Sequence, residues 1–160
     1  MRLEFFEKFK DPYMQKDNPE GRGVFLAGIV FGMIARGQVD GKDSNIDAAP
    51  IYKQLNFGRM QYRDIRDHMS RVPGLTRMYD IPGAGWIESL CGEAGKLLME
   101  GGSKDLGIDG NFAFSVAFLN ARHYFFDEIF KDEISKKQSE SRSSDGGDQS
   151  KQSSVSENEA

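Results

Sequence analysis

A chain of 160 residues is long enough for one domain with a proper core and too short for two comfortable ones. Its formal charge of -4 runs against the basic excess usual in nucleic-acid-binding domains. The single cysteine, Cys91, excludes an intramolecular disulfide and a thiolate cluster for zinc or iron–sulfur, and it fits a reducing, cytoplasmic setting.

The charge is unevenly spread. From Gln138 onward five acids face two bases, so this segment carries -3 and leaves the first 137 residues near neutral. A neutral body still permits a basic face, because the field near a surface follows local clustering.

The opening MRLEFFEKFK mixes acids with aromatics and lacks the apolar run and small-residue cleavage site of a secretory signal. Leu3, Phe6 and Phe9 share one face with Phe5 beside them, which predicts a short amphipathic helix over 3–9. Pro12 and the turn-rich DNPEG at 17–21 close it.

GRGVFLAGIVFGMIARGQ, 21–38, is the most apolar stretch. Its uncharged run from Val24 to Ala35 is about twelve residues, where roughly twenty are needed to cross a bilayer. It cannot span a membrane and reads as a core helix ending near Arg36, with Gly37 as C-cap. Gly28 and Gly32 form a small-xxx-small pair that lets a second helix approach closely. The glycines do not make a dinucleotide loop, since no strand precedes them and the third glycine is missing.

Asp43 or Ser44 can cap a third helix with Ile51, Leu55 and Ala48 inward, ending at Gly58, with Pro50 in its first turns. The next, over 59–72, is the most informative. Tyr62, Ile65, Met69 and Val72 gather on one side, while Arg59, Arg63 and Arg66 align about a quarter-turn away. Pro73 and Gly74 are expected to end it.

A small-residue-rich helix is predicted over 84–100, with a glycine stop at Gly101 and Gly102. The last helix is predicted over 111–134. It has Phe112, Val116, Leu119, Phe126 and Phe130 on one face and Phe114, Phe118, Phe125 and Ile129 on another, the pattern of a central pillar buried from both sides. No sustained period-2 run occurs, so the expected fold is an all-α compact bundle of five to six helices over 1–137. Residues 138–160 are serine, glutamine, glycine and charge, and are expected to be a disordered acidic tail.

The inventory for catalysis is thin. Cys91 lies between Leu90 and Gly92 in a small-residue helix, where a buried structural thiol is the plainer reading than a nucleophile. His123 falls on the Val116, Leu119, Phe126 stripe and reads as a core or boundary histidine. His68 stands beside Asp64 and Asp67 with no second histidine at i+4 to make a metal pair. No HExxH, DxDxDG or GxxxxGK[ST] motif occurs. No enzyme activity, metal or cofactor is expected.

The arginines invite binding instead. A charge run on a helix is usually a solvated face, here exchanging ion pairs with Asp64 and Asp67. Arginine in place of lysine at all three positions suits bidentate phosphate contact, Arg71 and Arg77 extend the positive character, and Tyr62 can stack a base or sugar.

The succession of GRGVFLAGIVFG closing in Gln38, a proline-containing helix, the arginine and tyrosine helix, and NFAFSVAFLNARHYF resembles the C-terminal helical region of the type I-B CRISPR Cascade large subunit, the TM1802-like (Csh-type) proteins. The likeness covers roughly 19–130 and does not include the acidic tail. It implies a non-catalytic Cascade small subunit, of a kind that internal translation initiation can supply as a free chain. Several copies would contact the backbone and large subunits, lie along the guide RNA, and help hold the target and non-target DNA strands. Base pairing supplies specificity in such complexes. Arg59, Arg63 and Arg66 would then meet phosphates without sequence preference, with Lys53, Arg71, Arg77 and Arg122 as weaker candidates. The alternative is a helical protein–protein adaptor whose arginines pair with acidic partners or neighbouring copies.

Overall fold

The structure, a computed structural model, describes residues 1–39, 45–101 and 105–144. Among these it contains seven α-helices and no strand: α1 (Pro19–Gln38), α2 (Pro50–Gln54), α3 (Tyr62–Met78), α4 (Ala84–Gly101), α5 (Gly107–Leu119), α6 (Ala121–His123) and α7 (Lys131–Ser144). Five are long, and α2 and α6 are short. The all-α bundle is as expected from the hydrophobic periodicity.

The apolar run becomes the axis of the molecule. Asn18 caps α1 by accepting from the Gly21 amide at 3.2 Å, and Pro19 opens it where a missing N–H costs nothing. Every residue from Gly23 to Ala35 is buried, so α1 is enclosed on all sides, chiefly by α4 and α5. A Cβ on Gly28 would stand 2.6 Å from the Phe114 carbonyl oxygen and 2.8 Å from the Ala117 methyl. One turn on, a Cβ on Gly32 would collide with the Phe118 carbonyl and the Ala121 methyl. Gly28 and Gly32 therefore set the α1–α5 separation, as their spacing suggested. Arg36 locks the same joint by donating from Nη2 to the Leu119 carbonyl at 3.0 Å, which satisfies an orphan acceptor at the end of α5.

Several local expectations are corrected. Gly37 does not cap α1, which runs on to Gln38; a Cβ at Gly37 would meet the Ile81 side chain at 2.6 Å, so this glycine too serves close packing. The first segment is a 3-10 turn, Glu4–Lys8, with Phe5 and Phe6 buried. Asp43 and Ser44 lie outside the described residues; Ala49 precedes α2, Pro50 is its first residue, and Ala49 rather than Ala48 is buried beside Ile51 and Leu55.

The pillar predicted over 111–134 is broken, and its first face is only partly buried. Helix α5 stops at Leu119, where the Asn120 side-chain carboxamide donates back to the Val116 carbonyl at 2.9 Å, a local bond that competes with helix continuation. After α6, a π-helical segment, Tyr124–Ile129, turns Phe125 and Ile129 inward. Phe112, Leu119 and Phe126, assigned to a buried face, are exposed; Val116 is half-buried, and Phe130 of that face is buried. Helix α7 continues to Ser144 with an exposed surface from Ser135 on, so 138–144 are helical rather than part of a tail; residues 145–160 lie outside the described residues.

Helix α3 passes through Pro73 without stopping, and α4 explains how. Proline has no N–H for the Met69 carbonyl four residues back. The Cys91 thiol of α4 donates to that carbonyl at 3.8 Å. Thr76, buried, donates to a Glu88 carboxylate oxygen at 2.7 Å across the same interface. The real stop comes at Tyr79 and Asp80, the latter with a positive φ of 49°. Burial, reinforced by Glu88, pushes the Cys91 thiol up to about 11.

Three predictions test this packing. Gly28→Ala should lower the urea midpoint despite the better helix propensity of alanine. Gly92→Ala, whose added methyl meets nothing within 4 Å, should raise stability by about 0.5–1 kcal/mol. Native Cys91 should resist iodoacetamide at pH 8, where a thiol titrating near 11 is almost wholly protonated, and should label readily once urea unfolds the chain.

Candidate functional site

The segment before α3 is shaped by a long-range tie. Asn111 on α5, itself buried, accepts from the Met60 amide at 2.8 Å and donates to the Met60 carbonyl at 3.2 Å. These two bonds fix Met60 as an anchor under the loop and turn its neighbour Arg59 outward. Helix α3 then begins, because the Asp64 carboxylate reaches back to the Gln61 amide at 2.8 Å and closes the N-terminus there. Arg59 thus stands in the bend before the helix rather than on it, a correction to the predicted stripe.

The bend still brings the arginines together. Arg59 and Arg63 line one open cleft of about 350 Å³ with Gln54, Asn56, Gln61, Asp64 and His68. Arg63 also lines a shallower depression of about 190 Å³ with Gln61, Tyr62 and Arg66. Arg63 is common to both, so the two hollows form one track along the start of α3. Tyr62 is half-buried at its rim, with its ring packed against the core.

The track is electrostatically unspent. Arg63 approaches Asp64 only at 4.0 Å, and among the described residues Arg59, Arg66, Arg71 and Arg77 have no carboxylate within salt-bridge distance. Ion pairing with Asp67 does not occur, and Asp64 is engaged in capping. His68 packs its ring on Phe31 at 5.8 Å, and burial, aided by Arg71, holds it below the usual histidine range. At neutral pH it lines the cleft as a neutral imidazole.

The remaining candidates are not gathered here. Arg71 and Arg77 lie exposed further along α3. Lys53 on α2 is exposed and lines neither hollow. Arg122 on α6 lies over the Phe126 ring at 5.7 Å; burial, with Arg122 adding to it, lowers the pKa of Arg36.

The chemistry of the other sites is equally plain. Cys91 is a protonated hydrogen-bond donor at neutral pH. His123, expected at a core boundary, is exposed and paired with Asp127 at 3.0 Å. Among the described residues no group of three or more metal-ligating side chains comes together, and no helix is long and apolar enough to cross a membrane.

Sequence reasoning did not find Asn111, Gln54, Asn56 or His68 as parts of this region. Asn111 carried a signal only in hindsight, as a polar residue inside an aromatic run.

Comparison with known proteins gives one relationship. Residues 2–131 match the family model of the CRISPR-associated protein TM1802 (cas_TM1802) C-terminal domain. No curated protein and no solved structure matches the chain.

Proposed function

Since the chain belongs to the family of CRISPR-associated TM1802 C-terminal domains, we propose that it is a non-catalytic small subunit of a type I-B Cascade interference complex in the cytoplasm, contacting the guide RNA or target DNA backbone without sequence preference. The observation that carries this reading is the track of Arg59, Arg63 and Arg66, three exposed guanidinium groups around two contiguous hollows with no strong internal carboxylate partner. Arginine with at most one long internal ion pair, Arg63 to Asp64 at 4.0 Å, is suited to phosphate oxygens. The carboxamides of Gln54 and Asn56 and the neutral His68 ring add hydrogen-bonding groups that tolerate any base. Arg71 and Arg77 extend the positive edge along α3. Specificity would come from base pairing to the guide, with this chain stabilising the opened duplex.

The second reading, a helical adaptor without nucleic-acid contact, draws on the exposed apolar residues of α5. Charge reversal separates the two.

Fluorescence anisotropy of labelled single-stranded DNA at two salt concentrations is the test. Wild type should bind with a log–log salt slope of about -2, as expected for three phosphate contacts on a single strand. Arg59→Glu/Arg63→Glu/Arg66→Glu should abolish binding with helicity unchanged by circular dichroism. Asn111→Ala should weaken binding less and cost about 1–3 kcal/mol of stability, because it leaves the Met60 backbone unpaired. Equal binding by wild type and the triple variant overturns the site; no binding by either favours the adaptor.

A further inference from the structure

Phosphate contact alone does not account for the lining of the larger hollow. Beside Arg59 and Arg63 it holds the carboxamides of Gln54 and Asn56, the Asp64 carboxylate and the His68 ring. Asp64 is placed there by its capping role, with Oδ2 accepting from the Gln61 amide at 2.8 Å. Its Oδ1 meets only Arg63 Nε, at 4.0 Å, and keeps acceptor capacity. A carboxylate oxygen repels phosphate and suits an N–H donor. Among the described residues the exposed Gln54 and Asn56 side chains make no hydrogen bond within the chain, and each carboxamide offers both donors and an acceptor. Unspent groups of both kinds therefore meet in one hollow.

The hollow is also ready-made. The buried residues Leu55 and Met60 line it, and the two bonds from Asn111 hold Met60 in place. Its volume of about 350 Å³ lies at the low end of clefts that take small organic groups, roughly 300–1,000 Å³. The group that fits is small, carries N–H donors and acceptors on one edge, and has anionic neighbours for Arg59 and Arg63. A nucleobase in a strand has these properties. Every base presents at least one N–H and one acceptor on its Watson–Crick edge, and in a duplex that edge is spent on the opposite base.

We propose that the cleft receives the base of an unpaired nucleotide, its Watson–Crick edge against Gln54, Asn56 and the Asp64 Oδ1, with the flanking phosphates on Arg59 and on the Arg63 and Arg66 side. This rests on reading the arginine track as a nucleic-acid contact, and it adds the strand state that the track selects. Carboxamides rotate to match donor or acceptor, so all bases enter and the selection is for single strand over sequence. Tyr62 plays no stacking part, because its ring packs against the core.

Fluorescence anisotropy at low salt with two labelled DNA single strands of equal length tests it, one of mixed sequence and one with abasic residues throughout. The phosphates are the same in both. Wild type should bind the base-bearing strand roughly fivefold or more tighter than the abasic one. Gln54→Ala/Asn56→Ala should bring the base-bearing strand down to the abasic level and leave binding of the abasic strand, and of a duplex of the same length, unchanged. Both residues are exposed, so circular dichroism should not move. Equal binding of the two strands by wild type, or a preference that survives Gln54→Ala/Asn56→Ala, overturns the base site while the arginine track stands. Binding of neither strand overturns both.

Discussion

The close contact between α1 and α5 is the constraint on which the rest of the molecule depends. Gly28 and Gly32 bring the α1 backbone against the Phe114 and Phe118 carbonyls and the methyls of Ala117 and Ala121. No side chain fills the gap, so the two helices hold one separation and one register. Dispersion contacts between closely packed backbones are individually small and collectively large. Arg36 adds a directional element by capping α5 from α1. Helix α5 turns Ala113, Phe114, Ala117 and Phe118 inward and leaves Ile108, Phe112 and Leu119 outside.

The same joint positions the arginines. Asn111 rides on α5, and its side chain is held by the Gly107 carbonyl at 2.9 Å as well as by the Met60 backbone. Because α5 is fixed against α1, Asn111 is fixed, and so is the bend that carries Arg59. Helix α3 is secured at its other end by α4, through Cys91 and Thr76. A basic track held at both ends presents its guanidinium groups without first ordering a loop, so the entropic cost of that ordering is not charged against binding.

What could be read along the chain follows from which forces are local. The run from Val24 to Ala35 is apolar on every face, and no arrangement of a single domain leaves such a helix outside, so the core was legible. Pro73 was misread because its rescue comes from a thiol on α4, far off in sequence. The periodicity of Arg59, Arg63 and Arg66 was real, yet the helix starts three residues later than Arg59, because Met60 is tied to a side chain 51 positions away. Phe112 and Leu119 show a different limit. A helical wheel tells which residues share a face, and it does not tell whether the partner that covers that face lies in the same chain.

The low overall charge bears on how the proposed function would work. A near-neutral body with one arginine track attracts a polyanion only at short range, since the field of three guanidinium groups is screened within about 8 Å at physiological salt. One copy alone would hold nucleic acid weakly. Holding several copies side by side would make the second phosphate contact intramolecular, at a local concentration set by their spacing. Affinity would then depend on assembly more than on the charge of the single chain. Under the proposed function, such a chain would release nucleic acid when its neighbours are absent and would grip only within a complex.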